Sequence, residues 1–251
     1  MTTAAMLAKT GQRVLVLEQH YVPGGFTHAF RRKGYSWDVG VHAVGEVTGH
    51  SMPGRLLKVL TDDRLQWASL GPVYEEFRWA DGFSLDFPDN PEQFIHNLSE
   101  PFPSEHQAVL DYVQLCREVA RSMRGYFAAR VTGAPIGWAL ERTLGRKANQ
   151  YLAQRTRDVL PALTQDPKLQ ALFVAQWGYY GSPPSRSSFA IQALVTRHFL
   201  HGAYYPVGGS GRIAAELLQT VANCDGWTRI VADVEEILLE GGKAVGVRLA
   251  T

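Results

Sequence analysis

Cysteine is scarce: the 251 residues contain only Cys116 and Cys224. The two stand far apart and outside any CxxC or Cys/His spacing, so neither a disulfide framework nor a zinc site is indicated, and no metal ligands are expected. Excess charge is missing too. Lys and Arg number 25 against 24 Asp and Glu, a formal net charge of +1. That balance provides no basic footprint for nucleic acid and no polybasic signal for an anionic membrane surface. No apolar run reaches the ~18 residues of a spanning helix. The opening residues do not read as a secretory signal, because Lys9-Thr10-Gly11-Gln12-Arg13 breaks the apolar stretch. A cytoplasmic or peripherally membrane-associated location is expected. Fixed-period repeats and low-complexity tracts are absent. So are a Ser/His/Asp order, HExxH and a Walker loop, which leaves hydrolase, metalloprotease and nucleotide-triphosphatase readings without support.

Hydrophobic residues make up 45% of the chain, enough for one large core or two modest ones. Thr2–Lys9 reads as a helix closed by a left-handed Gly11. Val14-Leu15-Val16-Leu17, ended by Glu18, has the unbroken apolar character of a parallel strand covered on both faces. A crossover helix needs a strand before it, and none precedes Thr2, so the first strand and its Gly-rich loop are expected to be missing. Gly34–Gly40 reads as an extended segment. Glu75–Trp79 and Ser84–Phe87 flank Asp81-Gly82, a hairpin signal.

The pattern turns helical near Pro101. Ser104 and Gln107 form a capping-box pair ahead of Val109, Tyr112, Val113, Cys116, Val119, Ala120 and Met123, which share one helical face. Asp166-Pro167 opens a second helix with the stripe Leu169, Leu172, Phe173, and a third runs from about Ser187 to His201. Beyond Gly208-Gly209, Ile213, Leu217 and Val221 mark another helix. A short strand over Thr228–Val231 and a Gly241-Gly242 hairpin follow.

Several residues are chemical candidates. An acid at the end of a parallel strand, such as Glu18, can accept hydrogen bonds from the ribose of an adenine dinucleotide, although taken alone it reads first as a solvated strand end. Pro23-Gly24-Gly25 lets backbone pass close to a bulky ligand, or is an ordinary turn. His42, in Trp37-Asp38-Val39-Gly40-Val41-His42, is a candidate to polarise a carbonyl or move a proton, or is structural. Tyr179, Tyr180, Tyr205, Gly208 and Gly209 are candidates to line a pocket for a flat or extended apolar ligand.

These motifs together resemble the phytoene desaturase, carotenoid isomerase and retinol saturase family, most of all its retinol saturase branch. The resemblance rests on Val14–His20, Pro23-Gly24-Gly25, Gly34–His42, Tyr179-Tyr180-Gly181, Ser187–Ala190 and Tyr205–Gly209. It implies an α/β, glutathione-reductase-like two-domain flavoprotein fold, incomplete here at both ends, and a non-covalent FAD with NAD(P)H as a candidate electron donor. It implies that Glu18 binds the adenosine ribose, that Gly24 and Gly25 follow the dinucleotide, and that Val234 touches the adenine through its backbone. Gln19, Phe26 and Thr27 join the cofactor-binding set, although Phe26 stands where many relatives carry a basic residue. Asp38–His42 would approach the flavin ring.

The domain reading places a partial FAD-binding domain at 1–50, a partial β substrate domain at 51–103, a helical insertion at 104–201 and a return to the FAD-binding domain at 202–251. The expected activity is reduction, desaturation or isomerisation of a carbon–carbon double bond in a retinoid- or carotenoid-like polyene, on an apolar small-molecule substrate. The alternatives are an amine oxidase-like flavoenzyme and a flavin-free lipid-binding or inactive remnant. By itself the chain is expected to be inactive, poorly soluble and unable to retain FAD. The apolar stretch from Tyr126-Phe127-Ala128-Ala129 to Ile136–Leu140, punctuated by Arg130, Glu141 and Arg142, suits peripheral contact with a membrane.

Overall fold

A computed structural model describes residues 1–250. The first elements are helix α1 (Thr2–Lys9), strands β1 (Leu15–Leu17), β2 (Ala29–Arg32) and β3 (Tyr35–Asp38), helix α2 (Met52–Leu60) and strand β4 (Trp67–Ser69). The middle holds strands β5 (Val73–Arg78) and β6 (Ser84–Pro88), then seven helices: α3 (Pro91–Ser99), α4 (His106–Val131), α5 (Ile136–Thr143), α6 (Arg146–Ala153), α7 (Thr156–Val159), α8 (Pro167–Phe173) and α9 (Phe189–Phe199). Strand β7 (Tyr204–Pro206), helix α10 (Gly211–Asn223) and strands β8 (Trp227–Arg229), β9 (Val234–Glu240) and β10 (Lys243–Leu249) close the chain.

These elements form two compact units. One combines residues 1–69 with the chain from Tyr204 onward; the other is Leu70–Ala203. The chain passes between the two units at 69/70 and 203/204. Residues 51–69 belong with the start of the chain because Leu60 of α2 packs with Ala5, Ala8, Leu217 and Val221 of α1 and α10. The expected β segment and helical insertion are one body: Leu85 and Phe87 of β6 share a core with Phe94, Val109 and Leu169.

In the first unit α1 ends as its sequence requires. Gly11 has φ +83°, its N–H bonds the Ala8 carbonyl and the Gln12 N–H bonds the Leu7 carbonyl, both at 3.0 Å. That is a two-bond Schellman closure. Strand β1 pairs in parallel with β8, Leu15 opposite Trp227 and Leu17 opposite Arg229. The expectation of cover on both faces fails here: Leu15 is 56% exposed, and Val16 and Leu17 are half-buried. Two hairpins, β2–β3 and β9–β10, turn on Lys33-Gly34 and Gly241-Gly242, all four residues at positive φ, as two-residue turns of the primed type demand. Arg64 binds α10 from the loop after α2. Its Nε donates to the Glu216 carboxylate at 2.8 Å and an Nη to Thr220 Oγ1 at 2.7 Å, and Thr220 in turn donates to the Leu60 carbonyl at 2.7 Å.

The second unit is built around α4. Val109, Tyr112, Val113, Cys116, Val119 and Met123 are buried, while Ala120 is half-buried. The Ser104–Gln107 capping box does not form. Residues Pro103–Glu105 make a single 3-10 turn, the helix starts at His106, and no side chain caps it. The Asp166 cap does form, accepting from the Lys168 and Leu169 N–H groups at 2.8 and 2.9 Å. The Asp81-Gly82 hairpin also forms, with Gly82 at φ +86° and Asp81 accepting from the Phe83 N–H at 3.0 Å.

Candidate functional site

Glu18 leaves the C-terminal end of β1. Its N–H bonds the Arg229 carbonyl at 3.0 Å, and its carbonyl accepts from the Ala232 N–H at 2.9 Å. The chain just ahead of Val234 is thereby held against Glu18. Among the described residues the carboxylate engages only the His20 N–H, at 2.9 Å to Oε1. Gln19 is exposed. The following loop folds on itself. Gly24 and Gly25 have φ +135° and +54°, and Thr27 returns both its N–H (3.0 Å) and its hydroxyl (2.8 Å) to the Gly24 carbonyl. A Cβ on Gly25 would meet nothing within 4 Å, so this backbone borders open space; Phe26 is 82% exposed.

The second glycine-rich motif lies in the same unit. A Cβ on Gly40 would stand 3.0 Å from Phe26 Cβ and 3.1 Å from its carbonyl oxygen, so a larger residue there would require the segment after β3 and the Gly25–Thr27 turn to give by a few tenths of an ångström. Asp38 accepts from the Tyr205 hydroxyl and, at 2.6 Å, from the Ser210 hydroxyl. Ser210 is fully buried and precedes α10. Gly208 and Gly209, at φ +90° and +95°, make the turn that carries β7 into it. Val44 and Tyr204 exchange backbone bonds of 2.8 and 2.9 Å. The sequence motif around Asp38 is thus fastened to the motif around Tyr205, which the sequence pattern did not reveal; a serine directly after paired glycines was the available signal. His42 lies on an exposed bend just after this junction.

Tyr179 and Tyr180 belong to the other unit. Tyr180 donates to Gln192 Oε1 at 2.7 Å, and burial pushes its phenol above the usual range. Burial raises the Tyr179 phenol to about 12, helped by the negative charge of Glu75; its ring sits 4.6 Å from that of Phe199. A bulge between Val73 and Glu75 leaves both Tyr74 and Glu75 half-buried, where a regular strand would alternate. Gln176, 3% exposed, donates to Tyr74 (3.2 Å) and to the Glu75 carboxylate (2.9 Å). Burial raises the Glu75 pKa, and the Gln176 bond opposes it in part. The five pocket candidates are therefore divided: Tyr205, Gly208 and Gly209 in the first unit, Tyr179 and Tyr180 in the second.

At the far end of α4 and on α5, Phe127, Val131, Ile136 and Trp138 are all more than half exposed, and Arg142 lies over the Trp138 ring at 4.1 Å. Among the described residues no helix is long and apolar enough to cross a membrane, and no group of His, Cys, Asp and Glu could hold a metal ion.

A parallel strand ending in an acid, followed by a Gly-Gly loop, is the arrangement of a dinucleotide-binding α/β fold. The chain belongs to the flavin containing amine oxidoreductase family, whose model matches residues 1–251. It is 32% identical to all-trans-retinol 13,14-reductase of Danio rerio, over 98% of this chain and 42% of that protein. It is 29% identical to prolycopene isomerase 1 of an Oncidium hybrid cultivar, over all of this chain and 44% of the isomerase. These relatives agree with the resemblance carried by the sequence motifs. An oxidoreductase from Methanosarcina mazei shares the fold, with a TM-score of 0.57 at 17% identity over 99% of this chain and 54% of that one. The chain thus spans less than half the length of the curated relatives it matches.

Proposed function

We propose that this chain supplies the adenosine end of an FAD site and part of the substrate site to a flavoprotein of its relatives' length, one that reduces, desaturates or isomerises a carbon–carbon double bond of a polyene lipid. The observation that supports this best is Glu18: a strand-end carboxylate with a single local hydrogen bond, its backbone bonded to the segment leading to Val234 and followed in sequence by a loop whose Gly25 borders open space. Those residues fit the group. Glu18 would accept from the ribose hydroxyls, the glycines would run along the dinucleotide, and the backbone near Val234 would face the adenine. Bound FAD supplies hydride acceptance and donation, and the protein orients it against the substrate. Asp38, held by Tyr205 and Ser210, is a positioning residue for the segment that leads to His42. NAD(P)H remains the candidate electron donor.

The names of the relatives favour a polyene over an amine, whereas the name of the family keeps the amine reading as the alternative. A shift of the flavin absorbance with retinol-like lipids but not with amines separates the two. In protein expressed from the whole reading frame, Glu18→Ala should weaken FAD binding, since a hydrogen bond to a charged group contributes about 1.5–3 kcal/mol. Titration of the apoprotein with FAD reads the effect. Unchanged affinity removes Glu18 from the site, and a wild-type protein that binds no flavin overturns the reading altogether.

A polyene dissolved in lipid needs an entrance at the membrane, and the exposed Phe127, Val131, Ile136 and Trp138 with their neighbouring arginines suit an interfacial contact. Trp138→Ser should lower the fraction of protein that floats with neutral liposomes several-fold. Flotation equal to that of the parent would place the contact elsewhere.

A further inference from the structure

The second unit carries a cationic pocket on a face that no element of the proposed flavin site uses. It has a volume of about 390 Å³ and is lined by Arg155, Arg157, Ser185 and Arg186. Backbone pairing creates it. Arg155 bridges antiparallel to Ser188, the Thr156 N–H bonds the Ser187 carbonyl at 2.9 Å, and the Arg157 N–H bonds the Pro184 carbonyl at 3.0 Å. Thr156, fully buried, and Ser187, 5% exposed, point inward, and their hydroxyls bond each other at 2.8 Å. Arg155 and Arg157 flank the first, Arg186 precedes the second, and all three are exposed beside this hydrogen-bonded backbone.

These cations are poorly compensated. The side chains of Arg155 and Arg186 make no ion pair or hydrogen bond among the described residues. Arg157 meets only its own neighbour, Asp158, at 3.3 Å. With Asp158 the one carboxylate paired to them, the three guanidinium groups carry a local charge of +2. Like charges gathered in one concave place repel unless an anion joins them.

We propose that this pocket binds a phosphoryl group, as free phosphate, a soluble phosphate ester or a phospholipid headgroup. Planar guanidinium forks match phosphate oxygens bidentately, and the Ser185 hydroxyl adds a further donor. A dianion balances the local +2, whereas a carboxylate offers one charge and two oxygens.

The test titrates inorganic phosphate into the full chain at constant ionic strength held with sodium chloride, following phosphorus resonance broadening. Saturable binding is expected. The double variant Arg155→Gln/Arg186→Gln should weaken it roughly tenfold or more while leaving the melting temperature unchanged, because both residues are exposed. Asp158→Asn should tighten binding, as it removes the one opposing charge. A second arm compares vesicles of phosphatidylcholine with and without phosphatidic acid. An increment due to phosphatidic acid that the double variant abolishes assigns a lipid headgroup; saturable phosphate binding without that increment assigns a soluble phosphate. The proposal is overturned if phosphate gives no saturable signal beyond chloride and phosphatidic acid adds nothing, or if the double variant binds as the parent does.

Discussion

Gly54→Ala is expected to cost more than about 4 kcal/mol of stability, at the extreme end of single substitutions. Gly54 is buried in the first turn of α2. A Cβ there would stand 2.5 Å from the carbonyl carbon of Val47 and 2.6 Å from its oxygen, and closer still to the Thr48 carbonyl oxygen. All three are backbone atoms, so no side chain can swing aside. The Thr48 carbonyl is fixed by the Ser51 N–H (3.1 Å) and hydroxyl (3.0 Å), and Ser51 Oγ caps the helix by accepting from the Gly54 N–H at 3.0 Å. Relief requires α2 to slide away from residues 47–51, which breaks the cap and draws Leu60 from its place among Ala5, Ala8, Leu217 and Val221. Alanine would gain up to about 1 kcal/mol in helix propensity, far too little to offset this. Thermal melting should fall by roughly 8–16 °C, at about 2–4 °C per kcal/mol for a chain of this size. Gly49→Ala, whose Cβ would meet nothing within 4 Å, is the control. A Gly54→Ala melt within a few degrees of the parent would mean that the approach of α2 to residues 47–48 is looser than described.

The features that sequence made legible are those decided within a few residues. The Schellman end at Gly11, the Asp166 cap and the Asp81-Gly82 and Gly241-Gly242 turns each need one particular backbone conformation, and the residue types betray it. The Ser104 cap shows the limit of that logic: the motif was present, yet Pro103 begins a tight 3-10 turn and the helix starts two residues later. Long-range pairing was not legible. Strand β1 finds β8 some two hundred residues away, and nothing in either short strand names its partner. The domain boundary at 69/70 depends on α2 packing against α1 and α10, again a matter of tertiary contact. At the candidate site, Glu18 and the Gly24-Gly25 loop were legible because their spacing is local. The junction of Asp38 with Tyr205 and Ser210, and the Glu75–Gln176 contact, join residues about a hundred or more positions apart and required coordinates.

Gln192→Leu is expected to destabilise the second unit by about 2–4 kcal/mol, and the reason bears on the role of Tyr180. Gln192 is fully buried on α9 and uses its amide on four groups. The two protons of its Nε2 are shared among the Phe173 carbonyl (2.9 Å), Tyr112 Oη (3.2 Å) and Thr196 Oγ1 (3.2 Å), and its Oε1 accepts from the Tyr180 hydroxyl (2.7 Å). Leucine fills much of the same space and donates nothing. The Phe173 carbonyl keeps the Tyr112 hydroxyl, at 2.5 Å, and Tyr112 keeps Thr196, at 2.8 Å. Tyr180 loses most, since it keeps only weaker contacts with Ser187 Oγ, at 3.5 Å and the limit of a hydrogen bond, and with the Thr156 hydroxyl. Part of the cost therefore comes from the weakened bonding of one phenol. Removing that phenol should recover part of it: in a Tyr180→Phe background Gln192→Leu should cost about 1 kcal/mol less than in the parent. Chemical denaturation of the four proteins in the cycle measures the coupling. The same cycle tests Tyr180 as a pocket residue. A hydroxyl held by Gln192 serves the core, so Tyr180→Phe should lower stability and, under the proposed function, leave polyene turnover by protein expressed from the whole reading frame nearly unchanged. Tyr180→Phe that leaves the unfolding midpoint untouched but slows turnover would show that the hydroxyl faces the substrate instead.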